Sequence, residues 1–207
     1  MSLEDDLNEF RKSVGAILAA SKTPHVSASC NGRVRPGAFE GGRINAPAKP
    51  TIDADPKKLK EAFVKVFAAY DAANTALFQM SFRAERDSKK AAWHVRTFPL
   101  LRAQVEEADM RRRAIDEKVV TTLLGRGASG EHRGWERLSL TQDANGQRFL
   151  RRMPGAKPED IPVDPELKSL FEAAAGAYKP VGFKPASIRW DVVPQGDVEV
   201  TYALEPA

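Results

Sequence analysis

The chain has 207 residues, 42% of them hydrophobic, and a formal net charge of +4 at pH 7. This length suffices for one large domain or two small ones with a real core. The longest purely apolar run, Ala16 to Ala20, is far too short to span a bilayer, and the acidic first six residues are unlike a secretory signal. We therefore expect a cytoplasmic protein that does not enter a membrane. Its single cysteine, Cys30, excludes an internal disulfide and a cysteine-based zinc site.

The first half of the chain has the pattern of two helices and two hairpins. Apolar residues at helical spacing predict a helix from Leu3 to Ser21. The alternation from His25 to Cys30 predicts a strand that turns at Asn31-Gly32 and buries the cysteine thiol. The stretch from Gly37 to Asp53, rich in glycine, proline and alanine, is typical of a loop or an irregular edge segment.

The second helix of this half is expected to begin at Asp55-Pro56, where a capping residue precedes a proline. Its expected core face consists of Leu59, Phe63, Val66, Phe67 and Tyr70. In the next strand we expect one set of side chains inward (Phe78, Met80, Phe82) and the alternate set outward (Gln79, Ser81, Arg83). The returning strand is expected to point Trp93 and Val95 inward, and Phe98-Pro99 marks the end of this half.

The second half follows the same order. We expect a long helix from Gln104 to Leu124, on which Arg111 to Arg113 pair with acidic neighbours on a solvated face. Gly125 to Gly134 is expected to end that helix and form a flexible connection. The remaining elements are a hairpin around Asp143 to Gly146, a proline-rich bridge from Pro154 to Pro162, a helix from Pro165 to Tyr178 and a hairpin that turns at Pro194 to Asp197.

The two halves match at several points. Asp55-Pro56 corresponds to Asp164-Pro165, and Asn31-Gly32 to Asn145-Gly146. The sequence therefore predicts an α+β fold that is a tandem duplication of a helix-hairpin-helix-hairpin unit, with antiparallel sheets and the helices packed on one face. The predicted units are residues 1–101 and 102–207; whether they share one sheet stays open.

No set of residues in the sequence demands a particular chemistry. The three histidines, His25, His94 and His132, lack the spacing of a metal site. The glycines from Gly125 to Gly130 follow a helix, whereas a phosphate loop follows a strand. We therefore expect no catalytic residues, no metal and no cofactor. The alternative is an enzyme whose site forms between the two units.

Arginines gather on and around one predicted hairpin, next to a tryptophan. Arginine binds carboxylates bidentately, and both residue types are enriched at binding hot spots. We predict a docking surface for an acidic-surfaced protein partner, formed by Arg133, Trp135, Arg137, Arg148, Arg151 and Arg152. Nucleic acid is the alternative partner of this basic patch, although the aromatic residues are spaced as core rather than as a stacking platform.

The last hairpin carries a resemblance to a known family. Its strands, Ser187 to Val192 and Val198 to Tyr202, place Trp190 in the first and Tyr202 in the second, around the turn at Gly196-Asp197. Gly134 to Leu138 with Asn145-Gly146 is a looser echo of the same pattern. The second half thereby resembles the YezG-like immunity proteins of bacterial polymorphic toxin systems.

These immunity proteins are small cytoplasmic proteins that bind and neutralise a secreted toxin. The resemblance implies a non-enzymatic inhibitor that acts by occluding its partner. This chain is basic, whereas immunity proteins against nucleases are commonly acidic. If the chain is such an inhibitor, its charge implies a toxin with an acidic face rather than a nuclease.

Overall fold

The computed structural model describes residues 2–21, 26–35, 38–41, 44, 46, 52, 54–87, 92–128 and 134–207. Within these residues the chain is α+β, with four α-helices and nine strands in two antiparallel sheets. Its internal contacts divide it into unit 1, Met1–Val105, and unit 2, Glu106–Ala207. No helix in the described part is long and apolar enough to cross a membrane.

Unit 1 folds as helix, hairpin, helix, hairpin. The helices are α1 (Leu3–Ala20) and α2 (Pro56–Ala72). The strands are β1 (Ser27–Arg35), β2 (Ala38–Gly41), β3 (Leu77–Arg86) and β4 (Trp93–Leu101), which lie in the order β2-β1-β3-β4.

Local sequence accounts for both helix starts in unit 1. The Ser2 hydroxyl accepts a hydrogen bond from the Asp5 N–H, while the Asp5 carboxylate accepts one from the Ser2 N–H. Asp55 caps α2 by accepting from the N–H groups of Lys57 and Lys58. The core face predicted for α2 is confirmed, since Leu59, Phe63, Val66, Phe67 and Tyr70 are buried. The buried residues of α1 are Leu7, Phe10, Val14, Ile17 and Leu18.

The predicted turn at Asn31-Gly32 is wrong. β1 continues through both residues, and Gly32 pairs with Gly41 on one side and Met80 on the other. A Cβ atom on Gly32 would lie 2.6 Å from the Phe63 ring, so this position needs glycine for close packing rather than for a turn. The segment predicted from Gly37 as a loop or irregular edge segment contains the edge strand β2.

Unit 2 has the same order of elements and one additional strand. Helix α3 (Arg102–Ala128) contributes its residues from Glu106 onward to this unit, and the second helix is α4 (Pro165–Tyr178). The strands are β5 (Arg137–Asp143), β6 (Gly146–Arg152), β7 (Glu159–Ile161), β8 (Phe183–Val192) and β9 (Val198–Pro206), in the order β7-β6-β5-β8-β9. The bridge predicted from Pro154 to Pro162 therefore contains the short edge strand β7.

Helix α3 extends beyond its predicted end. Gly125 and Gly127, expected in a flexible connection, lie inside the helix. A Cβ atom on Gly127 would lie 2.2 Å from Nε1 of Trp135, so this glycine allows the indole to pack directly on the helix backbone. The rest of the predicted connection, residues 129–133, lies outside the described residues.

Each unit has its own apolar core between helices and sheet. On α3, Met110 is 62% exposed, whereas Arg112, which was expected on a solvated face, is only 8% exposed. In β3 the expected outward residues Gln79 and Ser81 are buried, and the Gln79 amide donates to the Ser81 hydroxyl over 2.9 Å. This hydrogen bond satisfies polar groups of Gln79 and Ser81 at their buried positions.

Candidate functional site

The sheet of unit 2 has two chemically different faces. Leu138, Leu140, Phe149, Ile188 and Trp190 point into the core that includes buried residues of α3 and α4. Because side chains alternate along a strand, their neighbours lie on the opposite face, which we call the open face. Its residues are Arg137, Ser139, Thr141, Arg148, Leu150, Arg152, Arg189, Asp191, Glu199 and Thr201. A groove of about 510 Å³ lies along this face.

Three of the predicted docking arginines share the open face. Arg137 lies directly opposite Arg152, and Arg148 directly opposite Thr141. The side chains of Arg148 and Arg152 are 44% and 49% exposed. These arginines are therefore accessible to a partner from one side of the sheet.

The other predicted docking residues lie elsewhere. Arg151 is opposite Leu138, which places it on the helix-covered face, where its side chain is 19% exposed and pairs with Glu159 at 2.6 Å. Trp135 is 8% exposed in the core and packs against Gly127, so it supports the start of β5 rather than the open face. Arg133 lies outside the described residues.

The register aligns four side chains across the sheet. Thr141 of β5 lies directly opposite Arg148 of β6 on one side and Arg189 of β8 on the other, and Arg189 lies opposite Thr201 of β9. We call Arg148, Thr141 and Arg189 the arginine row. Thr141 is 7% exposed, and its hydroxyl has no hydrogen-bond partner in the described part of the chain. The row thus combines two guanidinium groups with a hydroxyl that no described residue hydrogen-bonds.

Carboxylates hold both arginines of the row. Arg189 donates from Nε and Nη2 to Asp191 over 2.6 and 2.9 Å, and Asp191 also accepts from the Ser139 hydroxyl. These hydrogen bonds from Arg189 to Asp191 raise the pKa of Arg189 despite partial burial. Arg148 donates from Nη2 to Asp143 over 3.2 Å. Both guanidinium groups are therefore charged and oriented before any partner binds.

Arg137 differs from the other arginines of the open face. It lines the groove, yet it forms no ion pair within the residues that the structure describes. Arg152, by contrast, lies 3.5 Å from Glu136. Because the arginines of the face are accompanied by Glu136, Asp143, Asp191 and Glu199, the surface carries both signs of charge rather than a uniform positive patch.

Unit 2 also contains a buried polar cluster that the sequence did not reveal. The Tyr178 hydroxyl accepts from Arg112 Nε over 2.9 Å and donates to Asp109 over 2.7 Å. The Tyr202 hydroxyl also donates to Asp109, at 3.1 Å. Asp116 accepts from Arg112 and, over 2.7 Å, from the Trp190 indole. The expected solvated position of Arg112 is thus wrong, because aromatic side chains of α4, β8 and β9 cover it.

This buried cluster is suited to stability rather than to proton transfer. Burial, followed by the hydrogen bond to Asp109, raises the pKa of Tyr178 well above that of a free tyrosine. Tyr202 is shifted in the same direction, first by burial and then by the negative charge of Asp109. Both phenols therefore stay neutral near pH 7 and link α3 to α4 and β9.

Among the described residues, no group of three or more His, Cys, Asp or Glu side chains could hold a metal ion. His25 and His132 lie outside those residues, and the His94 side chain is 72% exposed, 3.9 Å from Asp87. The Cys30 thiol is buried, as predicted.

Comparison with protein-family models and with curated protein sequences finds no match for this chain.

Proposed function

We propose that this chain is a non-enzymatic protein-binding module that docks the open face of unit 2 against an acidic-surfaced partner. The observation that carries the proposal is that Arg137, which forms no ion pair among the described residues, lies in the same groove as Arg148 and Arg189. A partly exposed guanidinium such as that of Arg137 can be desolvated by a partner and can bind a carboxylate in two-point geometry. Buried arginines such as Arg112 have no such role.

The mixed charge of the open face favours a protein over nucleic acid. Strong binding to a phosphate backbone depends on arginines and lysines whose charge is not already compensated. Here Asp143 and Asp191 neutralise two arginines, and Glu199 lines the same groove. A protein surface can offer both acidic and basic groups, which pair with the arginines and carboxylates of the open face. Such pairing fixes the orientation of the partner and its specificity.

We infer that the two units arose by tandem duplication. Their sheets have corresponding strand orders, β2-β1-β3-β4 and β6-β5-β8-β9. Buried residues of α2 and α4 match at a constant separation of 108 positions: Leu59 with Leu167, Phe63 with Phe171, and Tyr70 with Tyr178. The same separation relates the register shifts at Leu77/Gln79 and Pro185/Ser187. A β-bulge at the corresponding place in both sheets favours a common origin over two independent origins.

The arginine row belongs to unit 2 alone. At the same separation Arg189 corresponds to Ser81, which lies opposite Asn31 and Phe98 in unit 1. That row contains no guanidinium group. We therefore assign the docking surface to unit 2, with unit 1 as a diverged copy.

The more specific form of the proposal is a cytoplasmic immunity-type inhibitor that occludes a toxin. Its support is the resemblance of the last hairpin to YezG-like immunity proteins together with a docking face of mixed charge. Occlusion needs a standard interface of roughly 1,600 Å², a size that one sheet face with its flanking loops can supply. A partner that is toxic when expressed alone and harmless with this chain would support the inhibitor.

Capture from the lysate of the source cell tests the binding proposal. The immobilised full chain is compared with the variant Arg137→Glu and with a control, Arg113→Glu. The control makes the same charge change at an exposed residue of α3. We expect one protein that resists high salt on the wild type and on Arg113→Glu and is lost from Arg137→Glu. Equal retention by Arg137→Glu would contradict the proposed surface, and nucleic acid that high salt removes would favour the alternative.

A further inference from the structure

The arginine row has the arrangement of a small oxyanion site. Residues directly opposite each other on neighbouring strands have Cβ atoms about 5 Å apart. Thr141 has an arginine in that position on both sides, Arg148 and Arg189. Two long guanidinium side chains therefore flank one short hydroxyl side chain on the open face.

The Thr141 hydroxyl is the second observation that points to a ligand. It is buried, it lines the groove, and it has no hydrogen-bond partner among the described residues. Buried hydroxyl groups are normally hydrogen-bonded, and exceptions concentrate at functional positions. An oxyanion that enters between the arginines would accept this hydrogen bond.

Both arginines keep donors for such a ligand. Arg189 uses Nε and Nη2 for Asp191, so its Nη1 hydrogens have no partner in the described part of the chain. Arg148 uses only Nη2, for Asp143. Because a guanidinium has five N–H donors, each arginine can bind its own carboxylate and a ligand at once.

We propose that Arg148, Thr141 and Arg189 bind the carboxylate of a partner's aspartate or glutamate side chain. This inference rests on the proposed function and names the group that the open face takes. A carboxylate is planar and carries one negative charge, which suits two guanidinium groups already partly neutralised by Asp143 and Asp191. A phosphate dianion would meet stronger repulsion from those carboxylates and from Glu199.

The test is a titration of the full chain with sodium acetate and, separately, inorganic phosphate, at constant ionic strength. Nuclear magnetic resonance follows the Nε–H signals of the arginines and the backbone amide of Thr141. We expect acetate to shift the signals of Arg148, Thr141 and Arg189. The variant Thr141→Val should weaken acetate binding about tenfold, because it removes one hydrogen bond to a charged group.

Two further variants control for structural effects. Thr121→Val makes the same chemical change at an exposed position of α3, away from the open face, and should leave acetate binding unchanged. Thr141→Ser keeps the hydroxyl and should restore binding to near the wild-type value. Equal acetate binding by wild type and Thr141→Val, or tighter binding of phosphate than of acetate, would overturn the assignment.

Failure of this inference is distinguishable from failure of the proposed function. If Arg137→Glu abolishes capture of the partner while Thr141→Val retains it, the docking surface stands and the arginine row is not its carboxylate site. If Arg137→Glu retains the partner, the proposed function fails, whatever acetate does at Thr141.

Discussion

The Tyr178 hydroxyl donates a hydrogen bond to Asp109 over 2.7 Å and thereby ties the end of α4 to α3. The same oxygen accepts from Arg112 Nε, so one side chain satisfies two charged groups of the helix. Removing it would leave both groups short of a partner in a largely buried place. This tyrosine is thus central to the polar core of unit 2.

We predict that Tyr178→Phe lowers the free energy of unfolding by about 1–3 kcal/mol, because it deletes a buried hydroxyl while keeping the ring. Urea denaturation followed by circular dichroism measures the change. Tyr70→Phe, at the corresponding position of α2, is the matched comparison. A Tyr178→Phe variant as stable as the wild type would show that the cluster contributes nothing.

Alkaline pH should destabilise unit 2 through the same residues. Burial, and then the bond to Asp109, raises the folded-state pKa of Tyr178 above its ordinary value of 10.0. The neutral phenol is therefore favoured by folding, and its contribution is complete below the unfolded pKa. As the pH rises above about 10, the unfolded chain loses this proton first and stability falls.

Denaturation from about pH 8 to about pH 11 tests this dependence. The wild type should lose stability more steeply at the alkaline end than a variant that carries both Tyr178→Phe and Tyr202→Phe. Parallel pH profiles for the two proteins would contradict the proposed role of the phenols.

Two glycines of α3 offer a matched pair of substitutions. Nothing lies within 4 Å of a Cβ atom added to Gly125, so Gly125→Ala should stabilise the helix by about 0.5–1 kcal/mol. Gly127→Ala should instead destabilise the unit, because its Cβ would meet the Trp135 indole at 2.2 Å. Thermal unfolding of both variants provides the test. If both substitutions changed the unfolding temperature in the same direction, the described packing of Trp135 on α3 would be wrong.

Acidic pH should weaken the start of α4. Asp164 accepts the N–H of Leu167 and pairs with Arg126 at 2.7 Å. The hydrogen bond from Arg126, and then that from Leu167, lowers the pKa of Asp164, so its contribution is present above the unfolded pKa and is lost as the pH falls. Asp164→Ala should cost about 1 kcal/mol at neutral pH and less below about pH 3. A cost independent of pH would contradict the charged cap.

Local patterns in the sequence predicted the elements that depend on local rules. Helix α4 has its predicted limits, Pro165 to Tyr178, because a capping aspartate and a proline define its start. Gly32 was misassigned because its close contact, the Phe63 ring, comes from a helix distant in sequence. Arg112 was misassigned because a charge on a helix predicts exposure unless tertiary partners such as Tyr178 are known.

The candidate site was predictable only in part. Strand alternation alone separates Arg151 from Arg148 and Arg152. Arg151 lies two residues after Phe149, which points into the core, so both are on the same face. The role of Thr141 depends on the register of β5 with both neighbours, which no short pattern specifies. The place of Arg189 beside Thr141 emerges only from the strand order.

The affinity of the captured partner for charge-reversed variants tests the docking surface most directly. Isothermal titration calorimetry compares the wild type, Arg137→Glu and the exposed control Arg113→Glu. We predict that Arg137→Glu weakens binding roughly 100-fold, because a repulsive carboxylate replaces a central arginine, whereas Arg113→Glu retains the wild-type Kd. An unchanged Kd for Arg137→Glu in a folded protein would contradict the assignment of the open face as the binding surface.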